Sequence, residues 1–350
     1  MLELTRAQIL AFRRGAGALD ERLPNGGESL RRAAWAGLQD SMPRAALLSI
    51  HARVEGATPA SWEDDSLVQV WGPRFQVYAV PAPDLAVFTL ARLPASGRTR
   101  ARAEELAEKL EAVLAGGRMR DRDAMAALGT GNSLRYATLT GRLAIRWEGA
   151  RAPFVWIVPP PAVTREEALL ELARRHLHVF GPTTAAAFAT WAGVGARDAV
   201  RAHDALGDEL IRVRTPTGDA RLLASDEQAM RDEPADPAAA RLLPSGDSYW
   251  LHGTPEERAL LVPDAARRAE LWTPRVWPGA VVVGGEIAGT WRRAGRRLAI
   301  QAWRRFTAAE RDAIVAEAES LPLPDAGEGM AVEWTGPGLP APPLAARRVR

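Results

Sequence analysis

The chain has 350 residues, 47% of them apolar and 25% charged, with a formal net charge of +2; this is enough for two or three packed units and excludes an intrinsically disordered chain. There is no cysteine, which excludes disulfides, iron–sulfur clusters, thiolate zinc sites and a cysteine nucleophile. One lysine stands against 44 arginines; arginine suits bidentate phosphate contacts, but a GC-rich coding sequence imposes the same usage, and so small a net charge argues for no polyanionic partner.

The N-terminal MLELTRAQILAFRRGAG places Glu3 before its first basic residue, and no segment reaches 18 apolar residues without charge. A cytoplasmic chain with no membrane partner is therefore expected. Thr5 ahead of RAQILAFRRGAGAL predicts a capped amphipathic helix with Ile9, Leu10 and Phe12 on one face. ESLRRAAWAGLQ (28–39) reads as a second helix and PRAALLSIHARV (43–54) as a third, opening on Pro43. LVQVWG and RFQVYAVP read as two strands turned at Gly72-Pro73. Three short helices followed by a two-stranded hairpin is the pattern of a winged helix.

The same order recurs twice. RDRDAMAALG (120–129) and NSLRYATLTG (132–141) read as helices, followed by the strands RLAIRWEG and PFVWIVP. REEALLELARRHLHVF (165–180), PTTAAAFATWAG (182–193) and GARDAVRAHDAL (195–206) read as three more helices, followed by ELIRVRT and ARLLAS around the turn PTGD. The units share architecture and not sequence, so this is weaker than a true repeat. Beyond residue 207 the chain becomes β-rich in RLLPSGDSYWLHG (241–253), AVVVGGEIAGTWRRAGRRLAIQAW (280–303) and MAVEWTG (330–336), with a hairpin turn at Gly284-Gly285. One long helix runs from Thr307 to Leu321 behind a Thr307–Glu310 capping box.

The expected fold class is α+β: three tandem winged-helix units, then a C-terminal β-rich, barrel-like unit with one long helix. The boundaries fall at 1–94, 95–163, 164–230 and 231–335, with a Pro/Arg tail over 336–350 expected to be disordered.

Gln39, Asp40 and Ser41 stand directly before the third helix. Asp40 and Ser41 occupy the place of an N-cap, worth about 1 kcal/mol, and the same residues could do chemistry in front of the helix; the local sequence leaves both open. The stretches AAWAGLQDSMPRAALLSIHARV, VWGPRFQVYAVPAPDL, FGPTTAAAFATWAG, RLLPSGDSYWL and VVVGGEIAGTWRR resemble, in order, the landmarks of the bacterial winged-helix DNA-binding family that includes the AlkZ-like DNA glycosylases. The resemblance covers about residues 3 to 321. It implies tandem winged helices around a concave basic channel and excision of alkylated purines, including bulky adducts and interstrand crosslinks, from double-stranded DNA. In that family the catalytic pattern is Gln-x-Gln, or Gln-x-Asp in a sister branch. Gln39 matches the first Gln, Asp40 falls on the middle position, and Ser41 departs from the pattern where the second Gln or Asp should be.

An alkylated purine is a good leaving group, so the enzyme has only to place a water and stabilise an oxocarbenium-like sugar. Gln39 would orient the water, and Asp40 would act as base or electrostatic stabiliser if its side chain reaches the channel. Ser41 is too short to replace a Gln directly. The expected phosphate ligands are Arg53 and Arg74 in the first unit, Arg135, Arg142 and Arg146 in the second, and Arg292, Arg293, Arg296 and Arg297 on the C-terminal hairpin; for each, a solvated surface is the alternative.

Trp35, Trp71, Trp147, Trp191 and Trp291 are expected to fill cores. His176 and His178 are two apart on a helix and cannot form an i, i+4 metal pair. His51 reads as a packed or hydrogen-bonded residue, and His203 and His252 show no triad neighbours. No phosphate-binding loop is present, so no nucleotide cofactor and no metal are expected. The functional expectation is a monomeric, nucleoid-associated glycosylase. The alternatives are a non-catalytic DNA- or lesion-binding protein that lost its second catalytic residue at Ser41, and a protein-contact module, which a neutral or acidic channel would favour.

Overall fold

The computed structural model describes residues 1–350 except 41, 43, 131–133, 149–150, 233–234, 324–328 and 338–350. Most of the expected Pro/Arg tail thus lies outside the described residues. After the short strand β1 (Leu2–Glu3), α1 (Arg6–Ala16) begins at Thr5, whose hydroxyl accepts from the Gln8 N–H while Gln8 answers on the Thr5 backbone. This reciprocal cap satisfies N–H groups that a helix start leaves unpaired. Ile9, Leu10 and Phe12 are buried.

The second helix stops earlier than its pattern predicts. α2 covers only Gly27–Ala33. Gly37 adopts φ +74°, where glycine carries no Cβ penalty, and a Cβ there would meet the Tyr78 ring at 2.9 Å. Leu38–Gln39 then form a strand, β2, so the helical reading of 28–39 is corrected beyond Ala33. α3 (Ala45–Arg53), β3 (Leu67–Trp71), β4 (Val77–Pro81) and the short α4 (Leu85–Thr89) follow.

A helix not expected from the sequence comes next, α5 (Arg98–Leu114), whose buried Ala103, Ala107, Leu110 and Leu114 form a narrow stripe among charged neighbours. β5 (Met119–Arg120) and α6 (Asp121–Ala127) precede a 3₁₀ stretch, Leu134–Thr140, that replaces the helix expected over 132–141. β6 (Leu143–Arg146) and β7 (Phe154–Ile157) form the second hairpin. The third unit forms close to its expected bounds: α7 (Arg165–Phe180), α8 (Ala185–Ala192), α9 (Ala196–Ala205), β8 (Leu210–Thr215) and β9 (Gly218–Leu223), then α10 (Glu227–Arg231).

The remaining segment contains β10 (Ala240–Leu243), two short helices α11 (Pro255–Leu261) and α12 (Ala265–Leu271), and then β11 (Gly279–Val283), β12 (Glu286–Ala294) and β13 (Arg297–Ala302). α13 (Ala308–Glu319), with its Thr307–Glu310 capping box, and β14 (Ala331–Thr335) complete it.

The strands group into a six-stranded sheet in the order β2-β4-β3-β6-β7-β5, a three-stranded sheet β1-β8-β9 and a five-stranded sheet β10-β11-β12-β13-β14. The first two hairpins therefore share one sheet, joined at Gln69 opposite Ile145. Among the described residues the C-terminal sheet is open, with β10 and β14 at its edges, rather than a closed barrel. Ile314 and Ala318 of α13 cover it against Leu242 and Ile300. Trp71, Trp191 and Trp291 are buried as expected and Trp147 is half-buried, but Trp35 is exposed beneath the Arg175 guanidinium, 4.2 Å from its ring centre.

Candidate active site

β2 lies antiparallel to β4, with Leu38 opposite Ala79 and Gln39 opposite Tyr78. The ladder continues one step further, as the Asp40 N–H donates to the Val77 carbonyl at 2.7 Å. Side chains alternate across a strand, and the contacts show Gln39 and Asp40 facing opposite sides.

Gln39 is 9% exposed. Its Oε1 accepts from the Tyr78 hydroxyl at 3.3 Å and from Arg74 Nη2 at 3.2 Å. The other end of the amide lies against Gly246, which has φ +74° and where a Cβ would stand 2.8 Å from Gln39 Nε2. Only glycine permits that approach without displacing the amide. Arg74 and its neighbour Phe75 are themselves left-handed, at φ 54° and 59°, a conformation costing roughly 1–2 kcal/mol for a residue with a Cβ. The turn is held there from outside: the Phe75 ring packs 5.4 Å from Tyr136 and lies under the Arg92 guanidinium at 4.4 Å. Backbone strain fixed in this way is found where a side chain must be aimed.

Asp40 is 1% exposed. One carboxylate oxygen accepts from the Ala46 N–H at 3.0 Å and the other from Gln69 Nε2 at 3.0 Å. Asp40 thus caps α3, and the solvated-surface reading of it fails. Burial pushes its carboxyl up to about 7, against the opposing pull of the Ala46 N–H, the Arg44 charge and the Gln69 amide. Ser41 lies outside the described residues.

Of the expected phosphate ligands, Arg74 reaches the site directly. A cleft of about 260 Å³ beside the start of α3 is lined by Met42, Ala45, Ser245, Trp291, Arg292 and Arg293. It brings two hairpin arginines next to the loop that covers Gln39. Arg296 and Arg297 lie further along the hairpin, where Arg296 Nε donates to the Gly329 carbonyl and Arg297 pairs with Glu333 at 2.6 Å.

Arg135 is exposed, its guanidinium 5.9 Å from the Trp71 ring centre. Arg142 pairs with Glu111 at 2.7 Å, and Arg146 pairs with Glu63 at 3.2 Å over the Trp62 ring. Arg53 requires a correction. It is 1% exposed and bound through both terminal nitrogens to Asp247 at 2.7 Å, so it has no surface to offer a phosphate. Asp247 also accepts from Ser49 Oγ at 2.6 Å, tying α3 to the loop that carries Gly246.

His51 is hydrogen-bonded, as expected, with Nε2 3.3 Å from Arg22 Nη2 and 3.1 Å from Ser320 Oγ. His176 is buried in an aromatic cluster, whereas His178 meets Asp226 at 3.0 Å. His252 has Glu257 3.5 Å from its Nδ1. Tyr78, Gln69, Gly246 and Asp247 are the site's residues that the sequence did not single out. The signal for three of them was their place in quoted landmark stretches: Tyr78 lies in VWGPRFQVYAVPAPDL, and Gly246 and Asp247 lie in RLLPSGDSYWL.

Among the described residues, no helix is long and apolar enough to cross a membrane. A family model described as DNA glycosylase AlkZ-like matches residues 32–322. No curated protein matches the chain. Among solved structures, the Streptomyces sahachiroi DNA glycosylase AlkZ is similar over 96% of this chain and 100% of its own, with a TM-score of 0.75 and 17% sequence identity; at that identity the likeness concerns the fold.

Proposed function

The chain belongs to the AlkZ-like DNA glycosylase family, and from that premise we propose that it hydrolyses the N-glycosidic bond of alkylated purine nucleotides in duplex DNA, acting as a nucleoid-associated monomer with Gln39 at the damaged sugar. The three helix-and-hairpin units, over 1–94, 95–163 and 164–230, act as winged helices around the duplex, and the unit over 231–335 closes the channel with its arginine-bearing hairpin. Arg74, Arg292 and Arg293 meet phosphates on either side of the lesion, with Arg135, Arg296 and Arg297 further along the duplex.

In this reaction the electron pair of the bond between the anomeric carbon and the base leaves with the purine, which sheds its positive charge. A water oxygen bonds to the anomeric carbon and releases its proton to solvent. A cationic purine needs no strong acid to depart, so the remaining work is orientation and field. The observation that carries this reading is the fixed Gln39 amide: two donors, the Tyr78 hydroxyl and Arg74, hold Oε1 and so fix the amide's position and dipole at the end of β2. Asp40, with both oxygens engaged behind the strand, serves as a positioning residue that locks β2 to the start of α3.

The test is abasic-site formation on a methylated duplex. Gln39→Ala is expected to lower purine release about 100-fold, the scale for losing one preorganised polar group, without loss of the fold. Undiminished release would remove Gln39 from the reaction. A second reading has its own support, since Gln39 is nearly covered and its Oε1 already holds two donors. A protein that binds lesions without hydrolysis would retain duplex with a steep salt dependence and yield no abasic product.

A further inference from the structure

The third unit carries a concentration of hydrogen-bond donors that its own fold does not use. On the β8–β9 hairpin, Arg212 stands directly opposite Arg221. Like charges in cross-strand register are destabilising, and neither guanidinium has an ion-pair partner among the described residues, whereas their neighbours Arg214 and Asp219 pair with each other at 2.9 Å. β9 is fastened on its other side to the segment before α8. The Thr183 N–H donates to the Arg221 carbonyl at 2.9 Å and the Arg221 N–H to the Thr183 carbonyl at 2.8 Å.

That bridge sets the arginine pair beside the N-terminus of α8. There Thr184 Oγ1 accepts from the Ala187 N–H, and the N–H groups of Ala185 and Ala186 have no helical carbonyl to pair with. Across the resulting cavity, of about 350 Å³, α9 presents His203 and Asp204. His203 is 7% exposed, and its Nε2 is sealed from solvent with no hydrogen-bond partner. Burial and the Arg221 charge, opposed by Asp204, hold this histidine down to about 4, so it is neutral at working pH and carries one N–H. Among the described residues, Asp204 is the lining acid that forms no ion pair, since Asp219 pairs with Arg214.

We propose that the cavity between the start of α8, the face of α9 and the β8–β9 hairpin binds a phosphate group, held by Arg212 and Arg221 and by the first-turn N–H groups of α8, with the His203 ring in the cavity wall as their neighbour. Two guanidinium groups relieve their mutual repulsion on one anion, and the helix start adds its partial positive charge. Two sources carry this chemistry, a phosphodiester of a nucleic-acid backbone and a free phosphate. In the first case the inference rests on the DNA-binding reading above and gives the third unit its anchoring contact; in the second it stands apart from that reading.

The experiment uses the full-length protein labelled in its histidine rings, with the His203 signal assigned from His203→Gln. Inorganic phosphate is titrated at constant ionic strength against a chloride control, and an undamaged duplex is titrated separately. Saturable movement of the His203 signal with phosphate, weakened at least about tenfold in R212A/R221A, supports the site with a free anion. Movement with duplex alone, lost in the same variant, supports a backbone phosphate. Asp204→Asn is expected to tighten either ligand severalfold. No movement with either ligand, or equal movement in R212A/R221A, overturns the proposal. None of these readouts depends on base release, so a failure of Gln39 to support excision leaves the outcome interpretable.

Discussion

Arginine is used in two opposite ways in this molecule. Arg13, Arg53, Arg92 and Arg175 are buried, each bound to fixed acceptors: the carbonyls of Phe180, Gly181 and Pro182 for Arg13, Asp247 for Arg53, the Trp71 carbonyl for Arg92, and Asp84 and Glu171 for Arg175. Arg292, Arg293, Arg296 and Arg297 stand exposed on the β12–β13 hairpin. The first group fastens elements far apart in the chain to one another; in the second, Arg297 pairs with Glu333 at the surface, and Arg292 and Arg293 line an open cleft. A guanidinium can do either because it holds its charge at any working pH and spreads its donors over a rigid plane. Whether it becomes a strut or a ligand is decided by what the fold sets opposite it.

The comparison is broken most severely at Arg53. Arg53→Met leaves Asp247 buried without its partner, and removing one member of a buried pair costs about 3–5 kcal/mol. Chemical denaturation is expected to show that loss, and the double variant R53M/D247M to recover much of it. If Arg53→Met unfolds at the wild-type denaturant concentration, Arg53 does not act as a strut.

A buried acid with no ion pair among the described residues behaves differently, and Asp40 provides the contrast. Its carboxyl titrates at about 7 in the folded chain and near 4 when unfolded. The folded state therefore holds the proton more tightly. The corresponding stability is fully present below pH 4 and is lost as pH rises through 7, by an amount of order 4 kcal/mol at most. Asp40→Asn, whose carbonyl still accepts from the Ala46 N–H, is expected to flatten that part of the stability–pH curve. A variant curve parallel to the wild type would show that the Asp40 carboxyl titrates at the same pH in the folded and the unfolded chain.

The sequence made α1 and α13 legible because Thr5 and Thr307 cap them, and the helices of the third unit were legible as apolar runs, two of which Thr164 and Thr184 also cap. β2 carried no such mark. Leu38 and Gln39 continue a helix-like run, and their extended form comes from pairing with β4, a tertiary contact that overrides local preference. Gln39 was found through a resemblance, but Tyr78, Arg74's hold on it, and Gly246 belong to distant segments that only the fold assembles. Arg53 was misread for the same reason: nothing near it in the chain announces Asp247. Conversely, the basic run on the C-terminal hairpin was visible at once because its turn keeps those arginines together in sequence and in space.

The smallest expected effect sharpens the other side of the comparison. Arg292 and Arg293 donate to carbonyls, Val276 at 2.9 Å and Gly295 at 2.9 Å, but both are exposed and line the cleft beside Met42. Replacing both with alanine should leave the denaturation midpoint nearly unchanged, since exposed single-donor contacts contribute little. If each guanidinium displaces one counterion from a phosphate, the slope of log affinity for duplex DNA against log salt should become shallower by about 1.8. Such a slope change at constant stability would mean that these arginines act on the duplex alone. An unchanged slope would mean that the hairpin stands clear of the DNA, and the cationic path would then have to run through Arg74 and the first two units instead.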